Sequence, residues 1–266
     1  MIYGHHASFS EELRSWFPRL GRGADVLGAG LDRLAVRASD GCVALSRRAE
    51  TELSELGAQQ VLYNPPGVDR SLLVGGIASR AQARWGLGDR EWVGYFGNLD
   101  PYQDIGRLLE MMLRMPGVGL LVVSPGDVAL LHRAAAGMGI PADQYRFIGG
   151  TGLVELGDAL ASVRLAIVPR LRCSGVPMKV LNQLAVGVPT VASATACDPF
   201  PGVYRMESDS ISDWVAAVRH LLAAPSERRW MAVSGCSYAS KELSWEAHIS
   251  RFLNFCARWT DPAGEW

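Results

Sequence analysis

The sequence lacks a basic excess. Its 26 Lys and Arg residues are balanced by 27 Asp and Glu, for a formal net charge of -1. A dedicated nucleic-acid binder would carry a strong positive surplus, so that class is disfavoured. Cysteine is sparse. Cys42, Cys173, Cys197, Cys236 and Cys256 are odd in number, and no two stand as Cys-x-x-Cys. This excludes a zinc ribbon or disulfide-stapled scaffold and points to a reduced, cytoplasmic chain whose thiols are buried or incidental. No apolar run reaches the roughly 18 residues needed to cross a bilayer. The opening Met1-Ile2-Tyr3-Gly4-His5-His6 has no charged segment followed by an apolar one, so no signal peptide is expected. Repeats and low-complexity tracts are absent. No Gly-x-Gly-x-x-Gly follows a strand in the second half, which argues against a nicotinamide-binding domain. No Gly-x-Ser-x-Gly elbow supports a hydrolase, and no local signature supports a Cys-His nucleophile.

What is present is an ordinary globular composition, 48% hydrophobic and 20% charged over 266 residues, enough for one large or two small domains. Val26, Leu27, Leu31, Leu34 and Ala35 fall at helical spacing within 24–38. Cys42–Leu45 reads as a strand, and Ser46 can cap the helix after it. Gln60–Tyr63 is a second strand. Asn64-Pro65-Pro66-Gly67-Val68-Asp69 is a breaker cluster and the best linker candidate. Beyond it, strands at 92–96, 119–123, 145–148, 165–168 and 189–192 alternate with helices at 104–114, 127–137, 154–162 and 177–186. Helices at 210–223, 226–240 and 244–258 complete the chain. Apolar strands alternating with helices predict parallel β-α-β units, covered on both faces and crossed right-handedly. Ligands of such sheets bind beyond the carboxyl ends of the strands, at the switch point.

Two loops at that edge could hold a phosphorylated ligand. Gly97 ends a strand and has no side chain, so an anion could approach its backbone. The segment Pro169-Arg170-Leu171-Arg172-Cys173-Ser174-Gly175-Val176-Pro177-Met178-Lys179 puts two arginines after a buried strand. It reads as a helix start, with Ser174 at the N-cap and Pro177 in the first turn. The amides of Gly175 and Val176 would then point at a ligand where the helix dipole favours an anion. Lys179 and Asn182, three apart, share one helix face. A diphosphate would suit this set, with Asn182 binding a hydroxyl.

These segments resemble glycosyltransferase family 4, retaining enzymes of the GT-B fold, over about residues 3 to 258. Val61–Asp69 is similar to the family's interdomain "PPGVD" segment, and Val93–Gln103 to its donor-domain opening. Phe147-Ile148-Gly149 is similar to the "FxG" strand that abuts the nucleotide base. The most specific match runs from Pro177 to Ser193, against "PxKxxExxAxGxPVVAS". Leu243-Ser244-Trp245 is similar to the "fsW" that opens the final helix. Departures stand beside these matches. The family's Arg and Lys of the first donor loop fall on Asn98 and Gln103, and its paired glutamates fall on Ser174 and Asn182. Tyr102-Gln103 and Pro169-Arg170 are similar to a "YQ" subgroup instead.

The resemblance implies an α/β chain of GT-B type. It implies a complete doubly wound, Rossmann-like donor domain over 66–242 and a truncated N-terminal Rossmann-like domain with the linker over 1–65. The helix over 243–266 would pack back on the N-terminal part. It implies retaining transfer from a nucleotide-sugar to an unknown glycan, lipid or small-molecule acceptor, with no metal and no cofactor. Arg170 and Lys179 would carry the diphosphate, and His6 falls on the family's active-site histidine. Donor-binding positions would be Gly97, Asn98, Gln103, Phe147, Ile148, Ser174, Gly175, Val176, Pro177, Met178 and Asn182. A full acceptor domain in this fold needs roughly 150 residues, so a partner chain or dimer mate completing it is one expectation. A non-catalytic nucleotide-sugar-binding remnant is the other. The cytoplasm is the expected compartment, and lipid-linked acceptors in the family are compatible with a peripheral seat at the inner membrane face.

Overall fold

The computed structural model describes residues 1–5, 8–69, 75–170 and 176–259. By internal contacts the chain divides into two units. Among the described residues the first holds 1–67, 176 and 245–259, and the second holds 68–170 and 177–244.

The first unit carries a three-stranded parallel sheet of β1 (Ile2–His5), β2 (Gly41–Ala44) and β3 (Val61–Tyr63), in that order. Between β1 and β2 lie α1 (Phe9–Trp16) and α2 (Arg22–Arg37), and α3 (Arg47–Glu55) joins β2 to β3. Ser46 caps α3 as its position predicts, accepting the Ala49 amide at 3.1 Å. The start of α1 is satisfied from a distance. Buried Asp32 on α2 accepts the Phe9 amide on both carboxylate oxygens, at 3.2 and 3.1 Å. Val36, Cys42, Ala44, Ala49 and Leu53 form a small core.

The second unit begins with α4 (Ala78–Trp85). Then come β4 (Glu91–Phe96), α5 (Ile105–Arg114), β5 (Val118–Ser124), α6 (Ala129–Gly137), β6 (Tyr145–Gly149), α7 (Leu153–Ser162) and β7 (Leu165–Val168). After these follow α8 (Met178–Ala185), β8 (Thr190–Ser193), β9 (Val203–Met206), α9 (Ile211–Ala223) and α10 (Pro225–Glu242). A last helix, α11 (Trp245–Cys256), belongs to the first unit. The six strands are ordered β6-β5-β4-β7-β8-β9, every pair parallel. This is the doubly wound arrangement that alternating apolar strands and helices predict. The order reverses between β4 and β7, where Val93 faces Leu165 and Gly94 faces Ala166. One core cluster, including Tyr95, Leu108, Met112, Leu120, Val122 and Trp214, covers one side of the sheet. Another, with Trp92, Phe96, Leu121, Val123, Leu160 and Ala166, covers the opposite side.

Three details depart from the sequence reading. Helix α4 and strand β9 are additions: α4 has one fully buried apolar position, Ala81, and β9 is a four-residue edge strand with only Met206 buried. Both patterns are too weak to read. Helix α8 starts later than expected. Pro177, at φ -73° and ψ 101°, is the extended residue before Met178 rather than part of the first turn. Ser174, which lies outside the described residues, is therefore three positions too early to be the N-cap. The other end of α8 holds to expectation. Gly187, at φ 73°, sits just past the helix, its amide bonded to the Leu184 carbonyl while Val188 bonds to that of Gln183. That pair of bonds is a Schellman ending, which needs the left-handed residue glycine supplies. No helix among the described residues is long and apolar enough to cross a membrane.

Val180, Leu181 and Leu184 seat α8 by complete burial. Leu181→Ala should lower stability by about 2–5 kcal/mol, the range for emptying a buried leucine site. Urea unfolding of the variant against the parent chain checks this.

Candidate functional site

At the switch point of the second unit, three segments meet. Strand β4 is buried on both faces and ends at Gly97. Strand β7 is buried throughout and is followed by Arg170, itself almost fully covered. Helix α8 brings Lys179 in its first turn.

The Lys179 ammonium donates to the Tyr95 hydroxyl at 2.7 Å and to Gln103 Oε1 at 2.8 Å. Neither acceptor is charged. Among the described residues no carboxylate lies within ion-pair distance of it. Gly97 makes this placement possible: a Cβ there would stand 2.8 Å from both Lys179 Cε and Nζ. The absent side chain at Gly97 thus makes room for the lysine, a nearer neighbour than the phosphate that the sequence reading assigned to it.

Residues 98–104 form the other wall. Pro101–Gln103 make one 3-10 turn, reversed at Asp104, the one non-glycine residue with positive φ (51°) among the described residues. An aspartate tolerates that conformation better than most residues, and its carboxylate accepts Arg107 Nε at 2.7 Å. The turn buries Gln103 and leaves Tyr102 partly exposed beneath Arg170, whose guanidinium carbon is 4.9 Å from the ring centre. Asn98 ties the turn together. Its amide nitrogen donates to Asp100 at 2.5 Å, its side-chain oxygen accepts Gln103 Nε2 at 2.7 Å, and its carbonyl accepts the Tyr95 hydroxyl at 2.5 Å. Asn98 and Gln103 are therefore a scaffold for Lys179 where the family has cations.

The remaining expected residues distribute unevenly. Asn182 is half-buried on α8, three residues beyond Lys179, and its side-chain amide bonds to none of the described residues. Met178 is exposed and Pro177 buried. Val176 is half-buried two residues before the helix. The amides without acceptors within α8 are those of Met178 and Lys179, later in the chain than the Gly175 and Val176 amides expected to open the helix. On β6 the Phe147 side chain is buried and that of Ile148 is half-buried. Phe147 stacks on Tyr145, ring centres 4.6 Å apart, inside the core, and Ile148 packs against the opposite core cluster. Ser174, Gly175 and His6 lie outside the described residues. In the first unit, His5 is buried at the end of β1, with Nε2 3.7 Å from Glu52 and Nδ1 3.4 Å from the Tyr3 hydroxyl. Sequence reasoning missed Tyr95. A buried tyrosine two residues before a strand-ending glycine is the signal that would have found it, because its hydroxyl needs a partner.

Burial, followed by the positive charge of Arg170, lowers the Lys179 pKa from 10.5 to about 7, against a smaller opposing effect of Asp100. Burial raises that of Tyr95, which stays protonated. Because Lys179 holds its proton less tightly when folded, the unfolded chain binds more protons between those two lysine values, and folding stability should rise with pH across that window. Urea midpoints of the parent chain relative to Lys179→Met should therefore increase from about pH 7 upward. A pH-independent difference would mean that the amine titrates normally.

Comparison with known proteins adds to this geometry. The family described as Glycosyl transferases group 1 matches residues 90–224, which include β4 to α9 and the whole cluster around Lys179. No curated protein matches the chain. Among solved structures, the chain is similar to sucrose-phosphate synthase from Thermosynechococcus elongatus, with a TM-score of 0.79 at 18% identity, over 97% of this chain and 67% of that one. It is also similar to HepE from Anabaena, solved with UDP-glucose, with a TM-score of 0.73 at 15% identity, over 97% and 71%. A third is α,α-trehalose 6-phosphate synthase from Burkholderia multivorans, with a TM-score of 0.68 at 14% identity, over 99% and 67%. At such identities the likeness establishes the fold, an α/β chain of GT-B type with parallel sheets. With the family match extending over half its length, the chain belongs to the glycosyl transferases group 1 family.

Proposed function

We propose that the second unit binds a nucleotide-sugar through its diphosphate and that the protein transfers the sugar with retained configuration, in the manner of family 4. The observation that carries this is the pairing of two cations, Lys179 and Arg170, at the sheet's switch point. Lys179 has no carboxylate partner among the described residues. An ammonium held among neutral acceptors gains most from an arriving anion. Sheets of this kind take ligands beyond the carboxyl ends of their strands, where these cations lie, and HepE, similar in fold, is a protein solved with UDP and with UDP-glucose.

In this reading charge that develops on the leaving diphosphate is stabilised by Lys179, Arg170 and the first amides of α8. No metal is required for that neutralisation. Asn182 hydrogen-bonds a ribose hydroxyl, more weakly than an ionised carboxylate would. The compartment in this reading is the cytoplasm. The second reading, a module that holds nucleotide-sugar without transferring it, is favoured by one observation: an amide stands at Asn182 where the family has a carboxylate.

Calorimetric titration with UDP, GDP, ADP and their sugar conjugates tests the binding. One nucleotide should saturate, and Lys179→Ala should weaken it by about 1–3 kcal/mol, the range for hydrogen bonds to charged groups. No binding by a folded chain overturns the reading. Product anomer analysis by NMR separates retaining transfer from binding alone.

Gly97→Ala gives an independent check. Gly97 holds φ 153°, which a residue with a side chain rarely adopts, and the new methyl would meet the tip of Lys179 at 2.8 Å and the Tyr95 hydroxyl at 3.5 Å, so stability should fall by about 1 kcal/mol or more without loss of the fold. The displaced ammonium should also weaken nucleotide-sugar binding about tenfold, ~1.4 kcal/mol. Unchanged affinity would remove the Gly97–Lys179 contact from the site.

A further inference from the structure

We propose that Tyr95 and Gln103 are positioning residues that hold Lys179 in an anion-free cradle, so that the donor diphosphate supplies the missing counter-charge and its binding draws one proton from solvent. The inference rests on the nucleotide-sugar reading above and deepens it.

The geometry starts with Asn98. Its carbonyl engages the Tyr95 proton, which leaves the phenol oxygen to face Lys179 as an acceptor. Its side-chain oxygen engages the Gln103 amide nitrogen, which turns Gln103 Oε1 toward the same ammonium. Both acceptors are thus oriented before any ligand arrives. Both are neutral, so they accept hydrogen bonds from an amine as well as from an ammonium and add no charge to hold the proton.

Among the described residues the charged and titratable groups around Lys179 are few. Tyr95 comes from β4, and Asp100 and Tyr102 from the turn. Arg170 follows β7, and the α8 neighbours Met178, Val180, Asn182 and Gln183 carry no charge. Asp100, the carboxylate among them, is engaged by Asn98. Burial and Arg170 therefore prevail, and the amine of the ligand-free protein titrates at about 7. A diphosphate diester brings two negative charges and reverses that balance. Water or buffer loses a proton, and the Nζ lone pair gains it. Uptake should approach one proton per site by about pH 8.5 and vanish below about pH 6. The diphosphate of a nucleotide-sugar does not ionise in this range, so the proton belongs to the protein.

The chain has only two lysines, Lys179 and exposed Lys241, so lysine labelled with carbon-13 at the ε position yields two side-chain signals. In the ligand-free protein the Lys179 signal should titrate near neutrality, with Lys241 as internal reference, and UDP-glucose should move that midpoint upward by about two and a half pH units or more, as uptake near one proton at about pH 8.5 requires. Calorimetry with UDP-glucose in buffers of different ionisation enthalpy should show uptake near one proton at about pH 8.5 and near none at about pH 6. Gln103→Glu, which places a carboxylate in the cradle, should raise the ligand-free midpoint, abolish the uptake and weaken binding tenfold or more. Tyr95→Phe keeps the ring and should also change the pH profile, a readout that a purely structural role would not move. If Lys179 in the unmodified ligand-free chain titrates with ordinary lysines, the cradle is overturned, whatever UDP-glucose does. If UDP-glucose binds at about pH 8.5 without proton uptake, the coupling is overturned and the nucleotide-sugar reading stands. If Lys179 titrates near neutrality yet no UDP, GDP or ADP sugar binds, that reading falls, and the coupling with it.

Discussion

Burying a lysine costs free energy unless its neighbours accept its hydrogen bonds, and in the second unit the surroundings of Lys179 are organised around that constraint. Strand β4 supplies a phenol, the turn after it an amide oxygen, and Gly97 the empty volume in which the side chain lies. None of these neutralises the charge. Among the described residues the ammonium has no counter-charge within ion-pair distance.

The fold makes the cluster possible by bringing distant segments to one edge. Tyr95 and Lys179 are 84 residues apart, and the reversal of strand order between β4 and β7 brings their segments together. Local devices then set the angles. Asp104 turns the chain back after a single 3-10 turn, which tucks Gln103 inward while Tyr102 remains partly exposed. The Schellman ending at Gly187 stops α8 after two turns, with Val180, Leu181 and Leu184 seated in the core. The position of Lys179 is thus inherited from packing well below the surface.

Much of this was legible beforehand. Apolar runs of four to seven residues separated by helical stretches marked most strands, because a parallel sheet covered on both faces requires them. Arg170 stood out as a cation just beyond a strand end, and Lys179 as one near the start of the helix that follows. What escaped notice did so for physical reasons. Tyr95 sits in a run that reads as pure core, and its hydroxyl acts only because Asn98 and Lys179 approach from elsewhere in the sequence. Phe147 was placed at the ligand edge by motif, but the period-two alternation of a strand puts it on the same side as Tyr145, inside the core. The start of α8 was misplaced because Pro177 looks the same to a reader of sequence whether it precedes or opens a helix.

The scarcity of lysine has a consequence in covalent chemistry. Of 26 basic residues only two are lysines, and guanidinium groups do not act as amine nucleophiles at any pH a folded protein tolerates. Acyl donors that seek a neutral amine therefore have few targets in this chain, and one of them lies at the switch point. Acetylation there would erase the positive charge on which the proposed diphosphate binding depends. It would also leave Nζ a single N–H, so that it could no longer donate to both Tyr95 and Gln103.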